Sequence, residues 1–494
     1  MEGLSYETLQ RHGYEGYLLE DAPERVLQFG EGNFMRAFVD YFFDMANQHG
    51  GFNGKVALCQ PIGRGLAEVI NGQEGLYTLY LRGFADGRKV SEKRVISAVS
   101  RCLDPYADFD ALLACAANPD LRYIASNTTE AGIAYDPACK FEDAPPASFP
   151  AKLTRFLYER WRLGGRGFVI LSCELIDDNG RALCRCVHRY IEQWGLPGEF
   201  SAWVDGENLF CSTLVDRIVT GYPRAEADAL NAENGYEDKL LDTGEVFGFW
   251  VIEGPDWLRE ELSFFTRAGL PVLVAPDHTP YKQRKVRILN GAHTSMVLAA
   301  YLAGQDIVRG CMEDKVIRAF MENTIREEII PTLPLPRPEL EEFAAAVTER
   351  FQNPFIDHAL LSISLNSTAK WRARCLPSLR EAVRQTGRLP ARLAFSLAAY
   401  IAFYTCGLQA LTDEGLCCRR PAGDDYLVRD DRPVLEFYWA HRADDAPALA
   451  RAVLQNEAFW GEDLTLVPGL EAAVAEGLAG IRREGAYAML RAVQ

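Results

Sequence analysis

The sequence contains no run approaching the ~18 consecutive apolar residues that a membrane-crossing helix requires, so no membrane partner is expected. Met1 to Glu20 interleave Glu, Arg, His and Tyr and hold no apolar core of the signal-peptide kind, which makes a cytoplasmic chain the expectation. No Lys/Arg-rich stretch occurs and the formal net charge is −17, the opposite of what a nucleic-acid partner selects. None of the 13 cysteines forms a C-x₂₋₄-C pair; the nearest groupings are Cys184 with Cys186 and Cys417 with Cys418. Zinc-type ligand spacing is therefore missing, no metal is expected, and the odd count fits reduced thiols. Asn127-Thr-Thr and Asn366-Ser-Thr match the glycosylation pattern, which has no meaning without secretion.

What remains is an ordinary globular composition, 48% hydrophobic and 24% charged, in 494 residues. That length exceeds one hydrophobic core and predicts two domains. Residues 1–276 read as a dinucleotide-binding α/β domain and 277–494 as a mostly helical domain for substrate and catalysis.

The first assignment rests on a strand–turn–helix–strand order. Arg25-Val-Leu-Gln-Phe-Gly30 is a short apolar strand, Gly30-Glu-Gly32 a tight turn, and Phe34 to Met45 carries apolar residues at helical spacing. Lys55 to Gln60 is the next strand. Glycines at Gly30 and Gly32 let the backbone approach a pyrophosphate, and the helix start offers free N–H groups to that anion. Two parts of the usual pattern are missing. The third glycine is Met35, and the acidic residue that grips a ribose 2′-hydroxyl at the end of the second strand is Gln60, with Arg64 close behind. The residues alone leave NAD and NADP open. Further strands, Leu121–Ser126 and Gly167–Ser172, end in the polar runs Asn127-Thr128-Thr129-Glu130 and Cys173-Glu174, at the sheet edge where such folds bind ligands.

From about residue 280 helical periods dominate, as in 339–351 and 391–409. Thr279-Pro280 is a good helix start and Gly304 a stop, so one helix is expected from Thr279 to about Leu302. On a uniform α-helix Lys285, Asn290 and His293 fall within an arc of roughly 140°. The three suit carbonyl reduction. An amine can give its proton to the developing alkoxide, and an amide N–H and an imidazole N–H can stabilise that oxygen as charge builds.

These three residues match the K-x₄-N-x₂-H signature of the long-chain mannitol dehydrogenase family position for position, and Gly30-x-Gly32-Asn33-Phe34-x-Arg36-Ala resembles that family's cofactor turn. The resemblance implies a Rossmann-type first domain, a helical second domain, and a metal-independent NAD enzyme. It implies Lys285 as general acid/base and Asn290 with His293 at the oxyanion. It also implies Phe29, Gly30, Gly32, Asn33, Phe34, Arg36, Asn127 and Thr128 on the cofactor, and Asp216 and Lys370 on the substrate. Similar stretches run through most of the chain, among them Ser126 to Ile133, Cys211 to Pro223 and Val467 to Leu470. They imply NADH-linked interconversion of the hexuronate tagaturonate with altronate, with fructuronate or an uncharged ketose as alternative substrates. Two departures from the polyol-acting members stand out. Ser362 replaces an arginine eight residues before Lys370, and Leu175 replaces an asparagine after the 167–172 strand. Both fit a substrate that carries a carboxylate. Lys370 is the first candidate to pair with it, ahead of Lys282, Arg284 and Arg372.

Overall fold

A computed structural model describes residues 1–85, 87–129 and 131–494, so Glu130 of the polar run above lies outside the described residues. The chain divides into two compact units. One is Met1–Gly83 with Val90–His278, the other Phe84–Lys89 with Thr279–Gln494.

The first unit is built on eight strands. They are β1 (Glu24–Phe29), β2 (Lys55–Cys59), β3 (Val99–Leu103), β4 (Tyr123–Ser126), β5 (Val169–Ser172), β6 (Leu209–Asp216), β7 (Phe249–Glu253) and β8 (Val272–Ala275). Their order across the sheet is β3-β2-β1-β4-β5-β6-β7-β8. The first six are parallel, in the 3-2-1-4-5-6 order of a doubly wound dinucleotide-binding sheet. β7 runs antiparallel to β6, opposing Trp250 to Val215, and β8 is parallel to β7.

Side chains alternate across these strands, so one sheet feeds two cores. Val26, Leu58, Ala125 and Leu171 join Phe38, Phe42 and Trp250 on one face. Leu27, Phe29, Ala57, Ile124 and Ile170 join Phe156, Leu183 and Val187 on the other. Burial on both faces is why β2, β4 and β5 are buried at every position and read as continuous apolar runs. Two of the strands that sequence reading passed over carry more polar residues, as in Val99-Ser-Arg-Cys-Leu and Cys211-Ser-Thr, whereas Phe249-Trp-Val-Ile-Glu253 was missed despite its apolar run. A separate three-stranded sheet joins Tyr77–Ala85 to Arg88–Ile96 and to Asp242–Glu245.

Within the second unit, Thr279–Gln494 is mostly helical, with a small antiparallel sheet of Ala410–Leu411, Leu416–Arg419 and Asp425–Val428. Two of its helices are buried on every side: α1 (Gly291–Leu302) throughout, and α3 (Ala391–Thr405) from Leu393 to Tyr404. A helix apolar all round belongs at a centre. α3 accordingly packs against α1 and against α4 (Leu470–Glu484). A shorter helix, α2 (Ser367–Arg374), also packs on α1.

The segment expected as one helix from Thr279 to Leu302 is three pieces: an α-helical turn over Thr279–Arg284, a π-helical turn over Lys285–Asn290, and α1. Gly304, at φ 102°, follows its end.

Candidate active site

The glycine turn of the first unit lies at the point where strand order reverses, between β1 and β4. Gly30 has φ 117°, and a Cβ there would stand 2.8 Å from the Asn127 carbonyl oxygen, so glycine is needed for the fold itself. Gly32 is different. Its backbone, φ −69° and ψ 168°, suits any residue, and a Cβ there would meet nothing within 4 Å. Nothing among the described residues requires a glycine at 32; a pyrophosphate laid against the backbone would. Asn33 opens the helix, and Phe34 stacks on Phe38 with centroids 5.2 Å apart.

Arg36 points the other way. It is 2% exposed and donates to the Leu240 carbonyl at 2.7 Å and to Asn33 Oδ1 at 2.6 Å. It lies 3.6 Å from the Asp242 carboxylate. Burial pushes the carboxyl of Asp40 up to about 8 and that of Asp242 up to about 7, and the Arg36 charge opposes both shifts. Arg36, expected on the cofactor, is thus bonded within the chain. Its guanidinium is committed to the core, and it acts by fixing Asn33.

At the carboxyl ends of β4 and β5, Asn127 donates its amide to the Cys173 carbonyl at 2.8 Å. Thr128 gives both its N–H and its hydroxyl to Glu174, and Ser126 gives its hydroxyl to the other oxygen of the same carboxylate. Burial raises the Glu174 pKa against those bonds. Glu174 thus shapes the sheet edge. Sequence reading saw it only as a polar strand end. Gln60, where an acid is usual, is 3% exposed and bonds within its own loop, donating to the Ile62 carbonyl at 2.9 Å. A carboxylate reaches this loop from the glycine turn instead. Glu31 is 7% exposed and accepts the Leu66 N–H, and a Cβ on Gly65 would collide with Glu31 and Gln60 together. Asp216 ends β6 at the same carboxyl edge, 3% exposed and paired in register with Phe249.

In the second unit the π-helical turn alters the geometry expected of the K-x₄-N-x₂-H segment. A π turn closes i to i+5, so Lys285 and Asn290 lie nearly above one another, a tighter grouping than the arc of a uniform α-helix. His293, three residues further along an α-helical turn, stays on that side. Lys285 and Asn290 are half-buried and His293 is buried.

The His293 ring stacks on Phe351, 4.1 Å between centroids and 13° between planes, and meets His358 edge-on at 5.4 Å. Its Nε2 is buried without a hydrogen-bond partner among the described residues. Burial, then the charges of His358, Arg374, Arg350 and Lys370, hold its pKa well below 6.5. This imidazole is neutral at physiological pH and carries an unused polar atom. Lys370 donates to the Ile363 carbonyl at 2.8 Å, and burial lowers its pKa, as does the neighbouring Arg374. Of the departures from polyol-acting members, Leu175 is 65% exposed and Ser362 gives its hydroxyl to the Ala359 carbonyl. Of the other cation candidates, Arg284 pairs with Glu339 at 2.7 Å, and the Arg372 guanidinium lies against Gly461. His358, Arg350 and Arg374 carried no sequence signal of their own, except that Arg374 follows Lys370 at helical spacing.

Among the described residues two groups have ligand atoms close enough to hold a metal: Cys184, His188 and Asp205, and Glu253, Asp277 and His278. The first escaped sequence reading because Asp205 comes from a neighbouring helix. Neither includes Lys285, Asn290 or His293. No helix among the described residues is long and apolar enough to cross a membrane.

A doubly wound sheet with a glycine turn at its switch point, and a helical unit presenting Lys, Asn and His, define a nicotinamide-dependent oxidoreductase as the class. The comparisons narrow it. The mannitol dehydrogenase Rossmann domain matches residues 24–264 and the mannitol dehydrogenase C-terminal domain matches residues 277–481, so the chain belongs to the mannitol dehydrogenase family. It is 47% identical over 490 residues to an altronate oxidoreductase of Klebsiella pneumoniae (strain 342), covering 97% of this chain and 98% of that one. It is 48% identical over 490 residues to that of Pectobacterium carotovorum subsp. carotovorum (strain PC1), with the same coverage. Two solved structures share the fold. A substrate-free D-sorbitol dehydrogenase has a TM-score of 0.79, 24% identity and 96% of each chain covered. Pseudomonas fluorescens mannitol 2-dehydrogenase, in ternary complex with NAD and D-mannitol, has a TM-score of 0.69, 23% identity and 99% of each chain covered.

Proposed function

We propose that this chain catalyses the reversible, NADH-dependent reduction of tagaturonate to altronate. The first unit binds the dinucleotide and the second carries the substrate and the acid–base chemistry. The observation that carries the reading is the surround of His293: Arg374 donates to the hydroxyl of the next residue, Thr294, at 3.3 Å, and Lys370 lies one helical turn before Arg374 on the same helix. A polyol or ketose site needs hydroxyl partners, whereas a hexuronate brings a negative charge that a water-poor pocket must neutralise. The altronate oxidoreductases, at 47–48% identity over almost the whole chain, support the same substrate.

The open backbone at Gly32, with Asn33 held by Arg36, fits a pyrophosphate. The Glu31 carboxylate beneath the loop after β2 favours the cofactor without a 2′-phosphate. When bound, NADH supplies the two-electron reduction. Lys285 donates its proton to the carbonyl oxygen as that oxygen becomes an alkoxide, and takes one back in the reverse direction. Asn290 and the Nε2–H tautomer of His293 donate hydrogen bonds to the same oxygen as its charge grows. Protonating His293 is unfavourable in its surroundings, so it stabilises the oxygen as a neutral donor and leaves proton transfer to Lys285.

The test is a mass balance. Tagaturonate incubated with NADH should give altronate in a 1:1 ratio to NADH oxidised, and altronate with NAD should reverse it. Conversion of the sugar acid without net NADH oxidation would mean an epimerase that uses its nicotinamide transiently, and would overturn the reading.

A further inference from the structure

Arg374 ends α2, one helical turn after Lys370, and residues four apart share a helix face. Like charges at that spacing repel, so their pairing here calls for a reason. Arg374 is half-buried, and among the described residues its one hydrogen bond is to the Thr294 hydroxyl at 3.3 Å, with no carboxylate beside it. Thr294 is the residue after His293. The Arg374 backbone is equally close to the π-helical segment's end, its carbonyl lying 3.5 Å from where a Gly291 Cβ would be. The arginine therefore adjoins the Lys285–His293 segment through both backbone and side chain.

The nearby acid is directed elsewhere. Asp430 accepts the Thr368 N–H and hydroxyl and the Tyr404 hydroxyl. Lys370 already spends one N–H on the Ile363 carbonyl. Arg374 is the member of the pair with donors to spare, and a guanidinium presents two parallel N–H groups that match the two oxygens of a carboxylate.

We propose that Arg374, steadied by Thr294, is the anchor for the substrate carboxylate and the residue that selects keto-hexuronates over uncharged ketoses, with Lys370 beside it in a secondary role. This rests on the hexuronate reading above and replaces Lys370 as the first partner of that charge. It also accounts for the loss of the polyol-type arginine at Ser362. The selective cation is supplied from the end of α2, four residues after the lysine instead of eight before it.

The experiment compares the wild-type chain with Arg374→Met, Arg374→Lys and Lys370→Met, using NADH with tagaturonate and with the corresponding uncharged ketohexose. Loss of a charge-assisted bidentate contact predicts that Arg374→Met lowers kcat/KM for tagaturonate about thirtyfold or more, chiefly through KM. Turnover of the ketohexose should stay within about twofold, because that substrate never made the contact. Arg374→Lys should recover part of the loss, and NADH affinity, read by quenching of nucleotide fluorescence, should not move in any variant. Equal losses on both substrates, or a shifted NADH affinity, would show that Arg374 serves the fold and overturn the proposal. A full selective loss in Lys370→Met with none in Arg374→Met would move the anchor to Lys370 and overturn it while sparing the hexuronate reading. A wild-type chain that prefers the uncharged ketohexose would overturn both.

Discussion

His293 and Phe351 lie face to face, 4.1 Å between ring centroids and 13° from parallel. The contact takes one face of the imidazole out of water, and Nε2 has no hydrogen-bond partner among the described residues. Burial and the neighbouring cations then hold the ring's pKa well below the usual 6.5. A ring in this state can offer an N–H to a developing oxyanion without competing for its proton.

The pH dependence follows from the sign of that shift. Because the folded-state pKa is depressed, the folded chain resists a proton that the unfolded chain accepts near 6.5. The His293 contribution leaves stability level above that pH and lowers it as pH falls below, toward the folded value. For activity, kcat/KM should show no acid limb near 6.5 that belongs to His293. A limb at that pH, abolished by His293→Gln, would contradict the neutral-donor role.

Lys285→Ala is expected to reduce kcat at least about a hundredfold, the usual yield of a positioned proton donor, while the dissociation constant for NADH stays within about twofold because Lys285 is not needed to hold it. Pre-steady-state rates and nucleotide fluorescence measure the two separately. Near-normal turnover would remove Lys285 from proton transfer.

The two glycines of the turn should respond in opposite ways. Gly30→Ala forces a Cβ to 2.8 Å from the Asn127 carbonyl at φ 117°, a strain of about 1–3 kcal/mol that should lower Tm. Gly32→Ala meets nothing in the chain, so Tm should hold while NADH affinity falls about tenfold or more, as a methyl group stands where the pyrophosphate must approach. Thermal melts alongside NADH titrations decide the point. Unchanged NADH affinity in Gly32→Ala would take the pyrophosphate away from this turn.

Metal removal should be without effect. With Lys285 as proton donor no Lewis acid is required, and neither group of possible ligands includes that residue. Activity after exhaustive chelation should match the untreated enzyme. Loss on chelation with recovery on adding a divalent ion would contradict it.

Much of this was legible in the sequence, and the remainder for physical reasons was not. β2, β4 and β5 read as strands because burial on both faces leaves them with few polar residues, and β1 did so through its buried Val26, Leu27 and Phe29. β3, with Ser100 and Arg101, did not, since Ser100 and Arg101 send side chains to Glu24. The π-helical turn at Lys285–Asn290 could not be read at all, because the apolar periods of α- and π-helices differ too little over six residues. Arg36 looked like a cofactor contact by its place in the turn. Its commitment to Asp242 and Leu240, some 200 residues on, is a tertiary fact. The same holds for Arg374, whose importance depends on where α2 packs rather than on any local pattern.

A keto-hexuronate, with NADH, is the proposed substrate. The most direct measurement is kcat/KM of the wild-type chain with NADH against tagaturonate, fructuronate and fructose under identical conditions. Tagaturonate should come first, fructuronate below it, and fructose lowest by more than about tenfold, since the uncharged sugar cannot make the charge-assisted contact with the half-buried Arg374 and Lys370. A kcat/KM for fructose equal to or above that for tagaturonate would contradict it.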